Sequence, residues 1–135
     1  MSASKRIIIA DDDANDRYLI QWALGRAGLK GLVHFVRDGQ QVIEVLKAKS
    51  DGETKVDPRL LLLDIRLPKA DGFEVLEWLQ NNREFRPAQV VIFSSSCDPK
   101  DMEKAKALGA DEYLVKPVGL DAYMELVRDF EMRVF

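Results

Sequence analysis

Short apolar runs alternate along this chain with longer segments of helical period. The first run, Ile7-Ile8-Ile9-Ala10, is continuous rather than alternating, the pattern of a strand buried on both faces. Over 14–27, Leu19, Ile20, Ala23 and Ala27 fall at helical spacing, and Gly28 supplies a stop. Residues 32–36 read as a second strand, "RDGQQ" as a turn at Asp38-Gly39, and 40–49 as a second helix through Val42, Ile43, Val45 and Leu46. "KSDGETKVDP" is polar and rich in breakers, which predicts a surface loop. Residues 60–63 form a third strand pattern, "DIRLPKADG" a loop, and 72–82 a helix with Phe73, Leu76 and Leu79 on one face. A fourth strand is predicted over 90–94, then a helix that opens at Asp98 or Pro99 and ends near Leu108-Gly109. A short fifth strand follows at 113–115. Leu120, Tyr123, Val127, Phe130 and Val134 then trace a last helical stripe.

Five successive strand–helix units predict an α/β fold, a parallel sheet with helices on both faces. Right-handed crossovers leave few arrangements. The expected one is a five-stranded doubly wound sheet of order 2-1-3-4-5, with its ligand site at the C-terminal edge of strands 1 and 3, where the winding reverses. A length of 135 residues suits one domain over 1–135, with a core of about 5–131 and no output domain.

Composition narrows the function. Apolar content of 47% and charged content of 32% describe a globular protein, and no apolar run approaches a membrane span. A net charge of −3 argues against a nucleic-acid surface, which wants a basic face. The single Cys97 excludes an internal disulfide, and without a signal-peptide pattern a cytoplasmic location is expected.

The candidate chemistry gathers at the predicted strand ends. Asp11, Asp12 and Asp13 follow strand 1, Asp64 follows strand 3, Ser94 ends strand 4 and Lys116 ends strand 5. Carboxylates that converge on one point need a cation or raised pKa values. Mg²⁺ favours a few carboxylates together with a phosphate. A carboxylate at the centre of such a site can attack phosphorus and form an aspartyl phosphate, while a lysine and a hydroxyl serve the phosphoryl oxygens.

The segments "IIIADD", "LLLLDIRLP", "FSSS" and "YLVKP", in this order, resemble the receiver domain of two-component response regulators over essentially the full chain. The resemblance implies Asp64 as phosphoacceptor. It also implies a Mg²⁺ (or Mn²⁺) site made of Asp11, Asp12, Asp64 and the backbone carbonyl of Arg66. Ser94, Ser95 and Lys116 would contact the phosphoryl group. Ser94 and Tyr113 would form the conformational switch, and Pro117 stands where the family often has a cis Lys-Pro bond. The implied partners are a sensor histidine kinase or phosphotransfer protein and a downstream protein, with no nucleic acid and no membrane. A homodimer through the face of helix 4, strand 5 and helix 5 is a further expectation, with Met124 and Leu126 offered as its apolar surface. The polar insert before strand 3, "LPKADG" and the tail "DFEMRVF" resemble stand-alone receivers paired with phytochrome-type sensor kinases.

Arg66 departs from the usual pattern two residues after the acceptor, and is expected to slow dephosphorylation; Ser96 is a second candidate for such tuning. Asp13 reads as a helix cap rather than a metal ligand, His34 as structural, and Trp22 and Trp78 as helix packing. Two other functions fit less well. Asp11 and Asp13 have the Asp-x-Asp spacing of haloacid-dehalogenase-type phosphatases, but Ala14-Asn15 breaks that motif. A phosphate-independent pseudo-receiver would not need all of the acidic, serine and lysine positions.

Overall fold

The computed structural model describes residues 5–50 and 56–134. Ten main elements alternate along the chain: β1 (Lys5–Ala10), α1 (Ala14–Ala27), β2 (Val33–Val36), α2 (Gly39–Ser50), β3 (Val56–Leu63), α3 (Gly72–Asn81), β4 (Gln89–Ser94), α4 (Pro99–Ala107), β5 (Glu112–Val115) and α5 (Leu120–Val134). The strands form one parallel sheet of order β2-β1-β3-β4-β5, the order the sequence predicts.

Side chains alternate across the sheet, and this explains the unbroken apolar runs. Ile8, Ala10, Leu61, Leu63, Val90 and Ile92 pack beneath α2, α3 and α4. Ile7, Ile9, Leu60, Leu62, Val91 and Phe93 pack beneath α1 and α5, against Ile20, Leu24, Tyr123, Val127 and Phe130. Every strand residue in these two sets is at most 2% exposed, so along these stretches neither face of the three central strands meets water.

Local chemistry sets the helix ends. Asp13 caps α1 by accepting from the N–H groups of Asn15 and Asp16 at 2.9 and 3.1 Å, the cap expected of it. Gly28 closes α1 in the left-handed region at φ 74°, where a side chain would be strained. Asp71 and Glu74 form a reciprocal capping box on α3, and Asp98 with Pro99 opens α4.

The structure departs from the sequence reading most at β3, at the start of β2 and between α3 and β4. β3 begins at Val56, inside the predicted loop, of which residues 51–55 lie outside the described residues. Its pairing with β1 slips between Lys5 and Ile7, opposite Pro58, which has no N–H to donate. Leu32 closes a 3₁₀ turn (Lys30–Leu32) rather than opening β2. A second 3₁₀ turn (Arg83–Phe85) lies between α3 and β4 and places Phe85 against Trp78, ring centroids 5.5 Å apart. Trp22 and Trp78 are both half-buried against the core, as helix-packing residues should be.

His34 pairs with Ile8 in the sheet and is half-buried, and burial together with the nearby Lys5 charge holds its imidazole below the usual 6.5. A depressed pKa means that the unfolded chain takes up the proton first, so the stability from neutral His34 is present above 6.5 and is lost as pH falls through the folded value. His34→Gln should therefore lose less stability than the parent between pH 7.5 and 5, read as the difference between their urea midpoints. Parallel pH profiles would contradict this.

Candidate functional site

Four strand ends converge at the C-terminal edge of the sheet, and backbone hydrogen bonds set their heights. Asp64 N–H donates to the Ala10 carbonyl at 3.0 Å, Asp11 N–H to Val36 at 3.1 Å, and Lys116 N–H to Ser94 at 2.8 Å. The strand ladders thus deliver Asp11, Asp64, Ser94 and Lys116 to a common level. All three carboxylate and hydroxyl residues of that set are nearly buried: Asp11 is 2%, Asp64 6% and Ser94 3% exposed.

Lys116 lies at the centre. Its Nζ is 2.9 Å from Asp11 Oδ2, 2.7 Å from Asp16 Oδ2 and 2.9 Å from Asp64 Oδ2. Its three donors match three acceptors. Burial alone would pull the ammonium's pKa down; hydrogen bonds to Asp16, Asp64 and Asp11 outweigh it and hold the group above its usual value. Asp11 shows the opposite balance. Burial pushes its carboxyl up to about 6, although the Asp13 N–H, at 2.9 Å, and Lys116 both favour the charged form. Three carboxylates share one ammonium, so the cluster holds two more negative charges than it has positive ones to match.

The β4–α4 loop is tied through Ser96. Its N–H donates to Ser94 Oγ at 3.1 Å, and its own hydroxyl donates to Asp101 Oδ2 at 2.6 Å while accepting from the Asp98 N–H at 3.2 Å. Its carbonyl accepts the Tyr113 hydroxyl at 2.7 Å. A chain of hydrogen bonds therefore runs from Ser94, at the acidic edge, to the first turn of α4 and to β5.

These features carry the family assignment. The sequence model of the response regulator receiver domain matches residues 7–128. The chain is a response regulator receiver domain. It is 30% identical over 93% of its length to the probable methanogenesis regulatory protein FilR2 of Methanothrix harundinacea (strain 6Ac), covering 80% of that protein. It is similar in structure to the phosphorylated cyanobacterial phytochrome response regulator RcpA, with a TM-score of 0.82 and 30% identity over 98% of this chain and 94% of that one. The Mn²⁺-bound form of response regulator Rcp1 follows at a TM-score of 0.78 and 29% identity, with coverage of 94% and 91%. Rcp1 itself comes from Synechocystis sp. (strain ATCC 27184 / PCC 6803 / Kazusa). The likeness to phytochrome response regulators read from the sequence thus holds, and the chain has the receiver fold of two-component signalling. Membership of this family sets the phosphatase reading aside.

Within the receiver, the predicted residues fall into three groups. Asp11, Asp64 and Lys116 are in direct contact, with Ser94 buried at the same level. Asp12, Ser95 and the Arg66 side chain are exposed, and the Arg66 N–H reaches Asp64 Oδ1 at 3.4 Å. Tyr113 and Ser96 sit half-buried in the β4–α4–β5 network, with Tyr113 already turned in on the Ser96 carbonyl. Two expectations are corrected. The Lys116–Pro117 bond is trans, like every other described peptide bond. Met124 and Leu126 are half-buried against the core beneath α5; the exposed apolar side chains on and beside α5 are Val115, Val118, Leu120 and Met132.

Sequence reasoning missed two residues. Asp16 pairs with Lys116 across 100 residues. Arg17 Nη1 donates to the Asp11 carbonyl at 3.0 Å and so fixes the turn out of β1. The available signal was the spacing of "DAND": an aspartate three after a helix cap, at a position the cap does not need.

Proposed function

We propose that this receiver accepts a phosphoryl group on Asp64 from a histidine kinase or phosphotransfer protein and signals through protein contact. The observation that carries this is Lys116 Nζ, held 2.9 Å from the carboxylates of both Asp64 and Asp11 at the sheet edge. In the transfer, a carboxylate oxygen of Asp64 forms the new O–P bond as the bond from phosphorus to the donor breaks, and the donor leaves with that electron pair. Lys116 gives one N–H to a phosphoryl oxygen. Ser94 Oγ accepts from Ser96 N–H and keeps its own proton to donate to another.

The excess of two negative charges around Lys116 fits a divalent cation, Mg²⁺ (or Mn²⁺). Asp11, Asp12, Asp64 and the Arg66 carbonyl would hold it, although among the described residues no three acidic, histidine or cysteine side chains are already drawn into a metal-sized group. The cation supplies charge neutralisation for the transferring group. Mn²⁺ in the Rcp1 structure supports this choice.

The exposed Arg66 side chain screens the approach of water and prolongs the phosphorylated state. Output runs along the Ser94–Ser96–Tyr113 chain to the α4–β5–α5 face. There a cleft of about 380 Å³ between α4 and β5 is lined by Met102, Ala105, Tyr113 and others, and Val115 of β5 is exposed. That face suits a protein partner or a second copy of the chain. A cytoplasmic site of action follows from a kinase donor.

The test is incubation with Mg²⁺ and acetyl phosphate followed by intact mass. A gain of ~80 Da that Asp64→Asn abolishes is the expected result. A wild-type protein that gains nothing would leave a phosphate-independent binding module.

A further inference from the structure

Asp16 is the third residue of α1, where a carboxylate suits the helix dipole, but no backbone N–H of the helix start donates to its oxygens. In a capping box the third residue reaches back to the N–H of the cap. Here the N–H of the cap, Asp13, is already bound to Asp11 Oδ1 at 2.9 Å. Asp16 instead turns to Lys116, with an Oδ2–Nζ distance of 2.7 Å, the shortest of the lysine's three carboxylate contacts. Its side chain is 25% exposed, against 3% for Asp11 and 9% for Asp64, so it approaches the ammonium from the solvent side.

We propose that Asp16 is a positioning residue that holds the Lys116 ammonium at the acceptor while Asp11 and Asp64 give their oxygens to the divalent cation. This rests on the phosphoacceptor reading above. An ammonium has three N–H donors. When the cation claims Asp11 and Asp64, two of the three carboxylate anchors weaken together. Asp16, which is outside the cation's donor set, keeps its hydrogen bond and leaves the other donors for phosphoryl oxygens. Without it the four-carbon lysine stem is free to swing, and the positive charge is no longer fixed where charge gathers in the transfer.

The experiment compares wild type, D16N, D16S, K116M and D16N/K116M. Phosphorylation of Asp64 is followed by mass at saturating Mg²⁺ with acetyl phosphate, alongside Mg²⁺ affinity by calorimetric titration and urea midpoints without metal. D16N and D16S should lower the phosphorylation rate roughly tenfold, the loss of one charge-assisted hydrogen bond, with Mg²⁺ affinity within about twofold of wild type. D16N should slow nothing further in the K116M background, and should lower the metal-free urea midpoint only when Lys116 is present. An unchanged or faster D16N makes Asp16 a bystander or a simple source of repulsion, and overturns the proposal. So does a D16N loss that persists in the K116M background. If wild type itself takes up no phosphoryl group, it is the phosphoacceptor reading that fails, while the metal-free midpoints still decide whether Asp16 anchors Lys116.

Discussion

Lys116→Met should melt on the order of 10 °C below wild type without metal, and Mg²⁺ should recover most of the difference. The reason is the asymmetry of buried ion clusters. Swapping every member for apolar groups can be neutral, but removing one partner strands the others. Here the stranded groups are Asp11 and Asp64, with side chains 3% and 9% exposed, and the more hydrated Asp16. Such a loss costs about 3 kcal/mol, at the low end for buried pairs. Asp11, already pushed up to about 6, moderates it by taking a proton. A divalent cation binds the folded site in place of the ammonium and raises stability by mass action. Phosphorylation should not recover with it. One donor fixed on the transferring group is worth about a hundredfold in rate, and methionine has none. Urea midpoints in EDTA and in Mg²⁺, with the acetyl phosphate rate, check both parts. Equal midpoints in EDTA would mean that the lysine is not what makes the acidic edge tolerable.

Most of the architecture is legible in the sequence because burial on both faces leaves an unmistakable mark. Ile7-Ile8-Ile9-Ala10 and the four leucines from Leu60 to Leu63 send alternate side chains into two cores, and no polar residue can interrupt either run. Edges are harder to read. Val56 to Arg59 belong to β3, but Pro58 and the flanking charges have the composition of a loop, and what makes them a strand is pairing with Lys5 across the bulge. The site divides in the same way. Asp64 and Lys116 stand out because a charge that ends an apolar strand is conspicuous. The Asp16–Lys116 contact does not, because a first-turn acid is ordinary in any helix and its partner is 100 residues away. Ser96 is similar: one of three consecutive serines, it becomes a junction only once folding brings α4 and Tyr113 to it.

That junction bears on signalling. Ser96 donates its N–H to Ser94 Oγ and its hydroxyl to Asp101, and its carbonyl accepts from the Tyr113 hydroxyl. On the proposed reading, a phosphoryl group that draws the Ser94 hydroxyl would disturb the first of these bonds, and the other two lead to α4 and β5. In this structure Tyr113 already donates to the Ser96 carbonyl, so on the proposed reading phosphorylation would bias a population rather than build a new state. Phosphorylation adds ~1.5–2 negative charges at the edge, and the bias it supplies depends on how differently the two loop positions meet that charge.

Gly72→Ala should destabilise the protein by about 2–3 kcal/mol and slow phosphorylation with it. Gly72 starts α3, and its N–H donates to the Ile65 carbonyl at 2.8 Å. A Cβ there would collide with the carbonyl oxygen of Asp64 and lie 2.8 Å from Ile65 Cα. These are backbone atoms of the segment that carries Asp64, the proposed acceptor, not the yielding end of a side chain. Either α3 lifts, exposing Val75, Leu76 and Leu79 from their core, or the end of β3 shifts and Asp64 leaves its place beside Lys116. Both routes cost stability, and the second also costs reactivity. Gly25→Ala provides the control: it lies on an exposed part of α1 with no atom within 4 Å of the added Cβ. There the helix preference for alanine should raise stability by up to ~1 kcal/mol. Thermal melts and acetyl phosphate kinetics of the two variants side by side separate close approach from mere backbone entropy. If Gly72→Ala melted and reacted like wild type, the close packing of α3 on the acceptor strand would not be what fixes Asp64.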